Sequence, residues 1–253
     1  RTSKSKRSRL ERSVRSQNRT LGHNDTTQRP SQDHRTPQKP QRSSQPQIMA
    51  TMLKASVQKL NPATTCVLVC DVQQRFTEII FGFQELVKCS SYLVKVANAL
   101  DLPVVCTEQY PKAFKQTVPE LSSLIQQKEK NKTFEKTMFS MATPEVMSHL
   151  TSMGIESCVL CGLETHVCVL QTTLDLLDQG LHVHIACDAV SSQRPFDRSV
   201  ALKRLAGAGA VLSTSEAVVF QLLKDSKHPH FKSVAPFLRE NAEDAKSSPL
   251  QAL

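Results

Sequence analysis

The stretch Val67–Phe76 reads VLVCDVQQRF, and it continues an apolar run that begins at Cys66 and stops at a carboxylate, Asp71. An unbroken apolar run of this length is typical of a strand that is buried on both faces of a parallel sheet. We therefore predict a central strand here, with Asp71 placed directly at its carboxyl end.

Further apolar runs follow this stretch and alternate with segments of helical period. The other predicted strands are Pro103–Thr107, Lys130–Lys136, Ser157–Cys161, Leu181–Cys187 and Ala210–Ser213. The predicted helices are Gln84–Leu100, Pro144–Ser152, Thr165–Gln179, Pro195–Ala206, Ser215–Lys224 and His228–Glu240. Alternating strands and helices with right-handed crossovers predict an α/β fold, a three-layer doubly wound sandwich around a mostly parallel six-stranded sheet.

Charge is distributed unevenly along the chain. The first 50 residues contain 12 Lys and Arg against 3 Asp and Glu, whereas the other 203 residues contain 20 of each kind. A neutral domain disfavours nucleic-acid binding, which normally needs a basic face to neutralise phosphates. We predict a disordered basic extension at residues 1–60, one folded domain at 61–242 and a frayed C-terminal tail at 243–253.

The basic extension admits three interpretations. It could be a dispensable addition, an Arg-rich targeting presequence or an arm that contacts nucleic acid. The last two lack an amphipathic stripe or interleaved aromatic residues, so we expect the first, with Met49 or Met52 as a true start.

The compartment is predicted from hydropathy and cysteine usage. No window approaches the roughly 18 consecutive apolar residues that span a bilayer. Most of the eight cysteines lie inside apolar runs, and Cys158 and Cys161 form a CxxC within a predicted strand, without a second ligand pair for zinc. We interpret them as core residues in a reducing compartment, cytoplasmic by preference and mitochondrial or nuclear as alternatives.

Polar residues that directly follow the predicted strands are the candidates for chemistry. Open parallel sheets bind ligands outside the carboxyl ends of their strands, near the point where the strand order reverses. The candidates are Asp71, Glu108–Tyr110, Gly162–Cys168 and Asp188.

Cys168 differs from the other cysteines because it lies just past a strand, in the first turn of a predicted helix. Helix N-terminal amides favour a thiolate, which makes Cys168 a candidate nucleophile. Its position alone fits a small buried residue equally well. Asp71 could likewise be a helix cap or a solvated turn residue, and Lys136 by itself would be taken for a surface residue.

Three motifs resemble those of the isochorismatase-like cysteine hydrolases. Val67–Phe76 resembles the family's D-x-Q-x-x-F signature, Lys136–Ser140 (KTMFS) its K-x-x-F-S segment, and Gly162–Thr173 (GLETHVCVLQTT) its G-x-x-T-x-x-C-V nucleophile turn. The similarity covers about residues 64–225, essentially the whole predicted domain. It implies an isochorismatase-like sheet in the order 3-2-1-4-5-6, in which the first and fourth strands are neighbours at the switch point.

The resemblance also implies a catalytic set. Cys168 would attack a carbonyl carbon, Asp71 would take the thiol proton and return it to the leaving group, and Lys136 would orient Asp71 and stabilise its charge. The family has a non-proline cis peptide that maps onto Leu163–Glu164, and it would aim the backbone N–H groups of Glu164 and Cys168 at an oxyanion. The expected reaction is hydrolysis of a small amide- or ureido-type C–N bond through a thioester.

Substrate-pocket residues are expected around this set. They are Gln73, Phe76, Tyr110, Phe139, Thr165 and His166. Nicotinamidases of the superfamily bind a metal through a D-x-H motif and further histidines after the second strand, whereas Thr107–Phe114 here contains no histidine. We therefore expect no metal and no cofactor, and we disfavour nicotinamide as the substrate.

A different class of function remains open. The chain could be a catalytically idle family member that acts as a protein-interaction module, although its intact Asp71, Lys136 and Cys168 favour the enzyme. The expected partners are a small-molecule substrate and further copies of the chain, as a dimer or a larger oligomer. A membrane partner is not expected, and a nucleic acid is disfavoured.

Overall fold

A computed structural model of the chain describes residues 58–251. Its centre is a six-stranded sheet in the order β3-β2-β1-β4-β5-β6, and every neighbouring pair is parallel. The strands are β1 (Thr65–Cys70), β2 (Val104–Gln109), β3 (Lys132–Lys136), β4 (Ser157–Leu163), β5 (His182–Ser191) and β6 (Val211–Ser213). The predicted α/β fold and its strand order are confirmed.

Eight helices accompany the sheet in this part of the chain. They are α1 (Phe83–Ala99), α2 (Pro111–Phe114), α3 (Pro119–Ile125), α4 (Pro144–Ser152), α5 (Cys168–Asp178), α6 (Pro195–Gly207), α7 (Ser215–Leu223) and α8 (Phe231–Ala245). Short 3₁₀ turns lie at Pro62–Thr64, Gln74–Phe76 and Pro249–Gln251. None of the helices in residues 58–251 is long and apolar enough to cross a membrane.

Strand β1 shows why the sheet is covered on both faces. Val67 and Val69 pack into one core cluster with residues of α1, α3, α7 and α8, and Leu68 packs into a second cluster with residues of α4, α5 and α6. All six residues of β1 are buried. Since burial of one large aliphatic side chain contributes about 1.5–3 kcal/mol, this strand stabilises both layers at once.

The N-terminal boundary lies slightly earlier than predicted. Leu60 is buried in the core, and Gln58 Nε2 donates to the carbonyl oxygen of Gly209 at 3.2 Å. The packed part of the chain therefore begins before residue 61. The predicted disorder of residues 1–60 otherwise falls outside the residues that the structure describes.

The C-terminal boundary was predicted wrongly. Helix α8 continues to Ala245, and Leu250 in the following turn is 1% exposed. The buried guanidinium of Arg198 donates to the carbonyl oxygens of Val190 at 3.0 Å, Cys187 at 2.5 Å and Leu250 at 2.7 Å. The Leu250 side chain enters the core and the buried Arg198 guanidinium binds the Leu250 carbonyl, and these two contacts hold the segment in place. Neither contact produces a periodic pattern in the sequence.

We expect the Leu250→Ala variant to lose about 2 kcal/mol of unfolding free energy, because the change removes buried aliphatic surface and leaves a cavity. Urea denaturation followed by circular dichroism measures this loss. Val200→Ala is the matched control, since the Val200 side chain is 50% exposed and its truncation should change stability by less than about 0.5 kcal/mol. Equal effects of the two substitutions would contradict the anchored C-terminal turn.

Candidate active site

The carboxyl edge of the sheet brings three distant residues together. Asp71 follows β1, Lys136 is the last residue of β3, and Cys168 is the first residue of α5, just beyond β4. Because parallel strands end at the same edge, the loops after them converge there. The three predicted catalytic side chains therefore lie at one edge of the sheet.

The Asp71 carboxylate is the centre of this group. Its Oδ2 accepts from Lys136 Nζ at 2.6 Å, and its Oδ1 accepts from Thr107 Oγ1 at 2.8 Å. The Cys70 thiol donates to Oδ2 at 3.6 Å. The Cys168 thiol lies near enough to lower the pKa of the carboxyl group. Asp71 itself has a φ of +52°. Non-glycine residues rarely adopt this left-handed conformation, and those that do are often found at functional sites.

The Lys136 ammonium is committed to this site. Its side chain is fully buried, and Nζ also donates to Gln109 Oε1 at 2.7 Å and to the carbonyl oxygens of Met138 at 3.2 Å and Phe139 at 3.0 Å. With Asp71, four acceptors therefore surround three protons. This arrangement fixes the lysine beside the carboxylate.

Burial and charge act on the two partners differently. Burial raises the pKa of Asp71 above its ordinary value, and the Lys136 ammonium and the hydrogen bonds from Lys136, Thr107 and Cys168 offset this only in part. Burial lowers the pKa of Lys136, but the nearby Cys70, Asp71 and Cys168 more than reverse this, so its pKa lies above the ordinary value. The lysine is therefore held as a cation, and the carboxyl group becomes a stronger base.

Cys168 occupies the N-terminus of α5. The helix begins at Cys168 rather than at Thr165 as predicted, because Thr165 N donates to Ser191 O at 2.9 Å and Val167 N donates to Glu164 O at 3.0 Å, which together form a turn. Helix N-terminal N–H groups lack acceptors within their own helix and carry partial positive charge. The Cys168 sulfur thus lies where negative charge is favoured.

The peptide bond between Leu163 and Glu164 is trans, and the described residues contain no cis peptide bond. The cis bond expected at this position is therefore wrong in this structure. A cis bond before a non-proline residue costs about 3 kcal/mol, and the trans turn makes its hydrogen bonds without that cost. The oxyanion role of the Glu164 and Cys168 backbone N–H groups stays a prediction.

Gly162 allows β4 to approach β1 closely at the site. An added Cβ would lie 2.1 Å from the Cys70 carbonyl oxygen, and the φ of +114° also disfavours any other residue. The register between β4 and β5 shifts between Leu160 and Gly162. This glycine therefore shapes the turn that leads from β4 to Cys168.

A cavity of about 280 Å³ opens onto Asp71 and Cys168. Aromatic and aliphatic side chains make up most of its wall, and these are Phe76, Ile79, Phe114, Phe139, Leu163 and Val167. The remaining residues are polar, namely Asp71, Gln109, Glu164, Cys168 and Gln193. The site can therefore hold a small, mostly apolar molecule against the sulfur.

The predicted pocket residues fall into two groups. Phe76 and Phe139 line the cavity as expected. Gln73 is buried and positions the neighbouring loops, since its Nε2 donates to Gln109 O at 3.0 Å and its Oε1 accepts from Gln109 N at 2.8 Å. Tyr110 lies on a neighbouring, more exposed cavity that also includes Lys136, and its role as a substrate-pocket residue stays a prediction.

Thr165 and His166 do not line the cavity either. Thr165 is fully buried, and His166 Nδ1 is hydrogen-bonded to Ser192 Oγ at 2.9 Å. Sequence reasoning missed Ile79, Phe114 and Gln193, which lie outside the candidate stretches, whereas Gln109 and Val167 lay in the stretches that follow the second and fourth predicted strands.

The remaining cysteines confirm the core interpretation. Cys158 and Cys161 are fully buried in β4, and burial raises the pKa of each thiol to about 12. All eight cysteines are free thiols. Within residues 58–251, no group of three or more His, Cys, Asp and Glu side chains has an arrangement that could hold a metal ion.

Comparison with known proteins identifies related chains. Residues 65–217 match the model of the isochorismatase domain. Isochorismatase family protein 1A of Dictyostelium discoideum is 43% identical over 196 residues, which cover 77% of this chain and 95% of that protein. Isochorismatase domain-containing protein 2 of Xenopus laevis is 44% identical over 188 residues, covering 74% of this chain and 89% of that protein.

A solved structure is similar over the same region. It is described as MAR1 ribonuclease from Caenorhabditis elegans, is 41% identical and superimposes with a TM-score of 0.71. The alignment covers 78% of this chain and all of the other chain.

Proposed function

The chain belongs to the isochorismatase family, and from this premise we propose that it is a cysteine hydrolase that cleaves a small amide- or ureido-type C–N bond through a thioester on Cys168. One observation carries the proposal. Asp71 and Cys168 line the same cavity, which has room for a small substrate, and Lys136 Nζ holds the Asp71 carboxylate at 2.6 Å. A nucleophile beside a base that a third group orients is the usual arrangement for covalent catalysis.

The first half of the reaction forms the thioester. Asp71 takes the thiol proton, and the Cys168 sulfur attacks the carbonyl carbon to give a tetrahedral intermediate. The C–N bond then breaks, and Asp71 returns the proton to the departing nitrogen, so an amine or ammonia leaves. Lys136 stabilises the carboxylate before the first transfer and after the second by its 2.6 Å contact with Oδ2.

The second half releases the acid. A water molecule attacks the thioester carbon, and Asp71 takes its proton. The C–S bond breaks, Asp71 gives this proton to the departing sulfur, and the carboxylic acid product leaves. The raised pKa of Asp71 suits this work, because a base is most effective when its pKa lies closer to the working pH.

The direct test is intact-protein mass spectrometry after exposure to a panel of small amides. We expect the parent chain to gain the mass of an acyl group and Cys168→Ala to gain nothing. An identical mass gain in both proteins would place the modification elsewhere and contradict the proposal.

The acid limb of the pH profile is a second test. Asp71 must be deprotonated to accept the thiol proton, and burial raises its pKa. Activity should therefore fall as the pH drops through a value above about 3.9, the ordinary pKa of aspartate. The measurement is kcat/KM between pH 3 and 9, with circular dichroism at each pH to show that the chain stays folded. A limb at or below the ordinary value would contradict the role of Asp71.

A second candidate function, RNA cleavage, is favoured by the likeness to the protein described as MAR1 ribonuclease. The neutral balance of 20 basic and 20 acidic residues after residue 50 opposes it, because RNA binding draws on cationic contacts to phosphate. Incubation of the full chain with labelled RNA distinguishes the two functions. Cleavage that disappears in Cys168→Ala would favour the ribonuclease.

A further inference from the structure

The charged side chains that line the cavity at Cys168 are all acidic. The ionisable carboxyl groups that line it are Asp71 and Glu164, and none of its lining residues in the described part of the chain is Lys, Arg or His. An anionic ligand would therefore meet two carboxyl groups and no free cation. Placing like charges together in a partly desolvated site costs binding free energy.

Two cations near the cavity, Lys136 and Arg194, already have partners. Lys136 is fully buried and is already bound to Asp71, Gln109 and two carbonyl oxygens. Arg194, which follows the cavity residue Gln193 in the chain, is paired with Asp197 at 2.5 Å. Neither can move to a bound carboxylate or phosphate without giving up its present partner.

Glu164 is fixed rather than free to swing away. Its Oε2 accepts from the backbone N–H of Gln193 at 2.9 Å, and its Oε1 accepts from Gln193 Nε2 at 3.3 Å. The side chain is 17% exposed, so water screens it only in part. A carboxylate is therefore held in the cavity wall, where it can repel a charged substrate.

The rest of the wall favours apolar groups. The rings of Phe76 and Phe114 are stacked, with centroids 5.1 Å apart and planes 24° apart. Ile79 and Phe139, which line the same cavity, are 48% and 53% exposed, and a bound apolar group would remove part of that surface from water. Burial of apolar area of this kind is the main source of affinity for small neutral ligands.

We propose that the substrate of this site is an electrically neutral small amide with an apolar acyl group, and that Glu164 is a specificity residue that rejects carboxylate- and phosphate-bearing molecules. The cleavage of such a substrate rests on the proposed function, whereas the binding preference does not. The preference can therefore be tested in a chain that lacks the nucleophile.

The test compares two ligands of nearly the same shape, 4-methylpentanamide and succinamate, in which an isopropyl group and a carboxylate occupy the same end. Isothermal titration calorimetry is done on the full-length Cys168→Ala chain. We expect the neutral amide to bind at least about tenfold more tightly, and Glu164→Gln in the same background to narrow this ratio about tenfold. Glu135→Gln, at an exposed carboxylate outside the cavity, is the control and should leave the ratio unchanged.

Each outcome decides between the proposals. Succinamate binding as tightly as the neutral amide, an unaltered ratio in Glu164→Gln, or no binding of the neutral amide up to its solubility would overturn the specificity proposal. If the predicted binding ratio is found but the parent chain hydrolyses neither amide, the specificity proposal stands and the hydrolase proposal fails. Hydrolysis of succinamate in preference to the neutral amide would overturn the specificity proposal and support the hydrolase.

Discussion

Replacement of Cys168 by alanine is expected to lower kcat/KM for amide hydrolysis by about 10⁴-fold or more, since the reaction then has no atom on which to build the thioester. The fold should persist, because the substitution removes only one sulfur atom, at the N-terminal end of α5, from a residue that is 7% exposed. Steady-state hydrolysis of a neutral amide measures the activity, and thermal unfolding measures the stability.

Cys187→Ala is the matched control for this experiment. Cys187 is 6% exposed, packs into the same core cluster, hydrogen-bonds the carbonyl oxygen of Ile185 and does not line the cavity at Asp71. Its truncation should cost similar stability and keep the activity within a few-fold of the parent, about the range of ordinary non-site substitutions. If Cys168→Ala retained comparable activity, the covalent mechanism would be refuted.

The Lys136→Met variant is expected to lose about 3–5 kcal/mol of unfolding free energy at pH 7.5, because it leaves the Asp71 carboxylate buried without its counter-charge. The loss should shrink as the pH falls. Protonation of Asp71 removes the uncompensated charge, and burial already raises the pKa of this group in the parent. Urea denaturation at pH 5 and pH 7.5 measures both effects.

Lys132→Met is the control on the same strand. Lys132 is exposed, so the change should alter stability by less than about 0.5 kcal/mol and show no such pH dependence. The activity of Lys136→Met should also fall, since the carboxylate loses the cation that orients it. If Lys136→Met were as stable as the control variant at pH 7.5, the Lys136–Asp71 ion pair would contribute little to the unfolding free energy, and the prediction would be wrong.

The sheet could be predicted from the sequence because its strands have a strong and local signal. Continuous apolar runs such as Cys66–Cys70 are buried on both faces, and the segments between them have helical period. Asp71, Lys136 and Cys168 were found because each lies at or beside a strand end and within a motif. Parallel strands then bring their ends together without further information.

The cavity wall was harder to predict because it is assembled from parts of the chain that share no pattern. Phe114 and Gln193 reach the site from α2 and from the turn before α6, and each looks like an ordinary loop residue in the sequence. Tyr110 sits beside the predicted strand end, yet its positive φ of 36° directs the chain elsewhere. Side-chain direction at such turns depends on backbone geometry that residue type does not encode.

The prediction for the C-terminal turn was wrong for a related reason. Leu250 and the buried Arg198 are far apart in the sequence, and only the folded chain shows that the guanidinium binds the Leu250 carbonyl at 2.7 Å. A buried cation that binds backbone oxygens has no distinctive spacing. Contacts of this kind are set by the tertiary structure alone.

The eight free cysteines allow unfolding of the chain to be measured by thiol alkylation. Six of them are buried between the sheet and its helices, namely Cys66, Cys70, Cys89, Cys106, Cys158 and Cys161. Cys168 instead lines the cavity at the carboxyl edge of the sheet. An alkylating reagent such as iodoacetamide would tag the enclosed sulfurs only in molecules whose sheet has come apart. The number of tags per molecule would therefore separate local inactivation from global denaturation in a single spectrum.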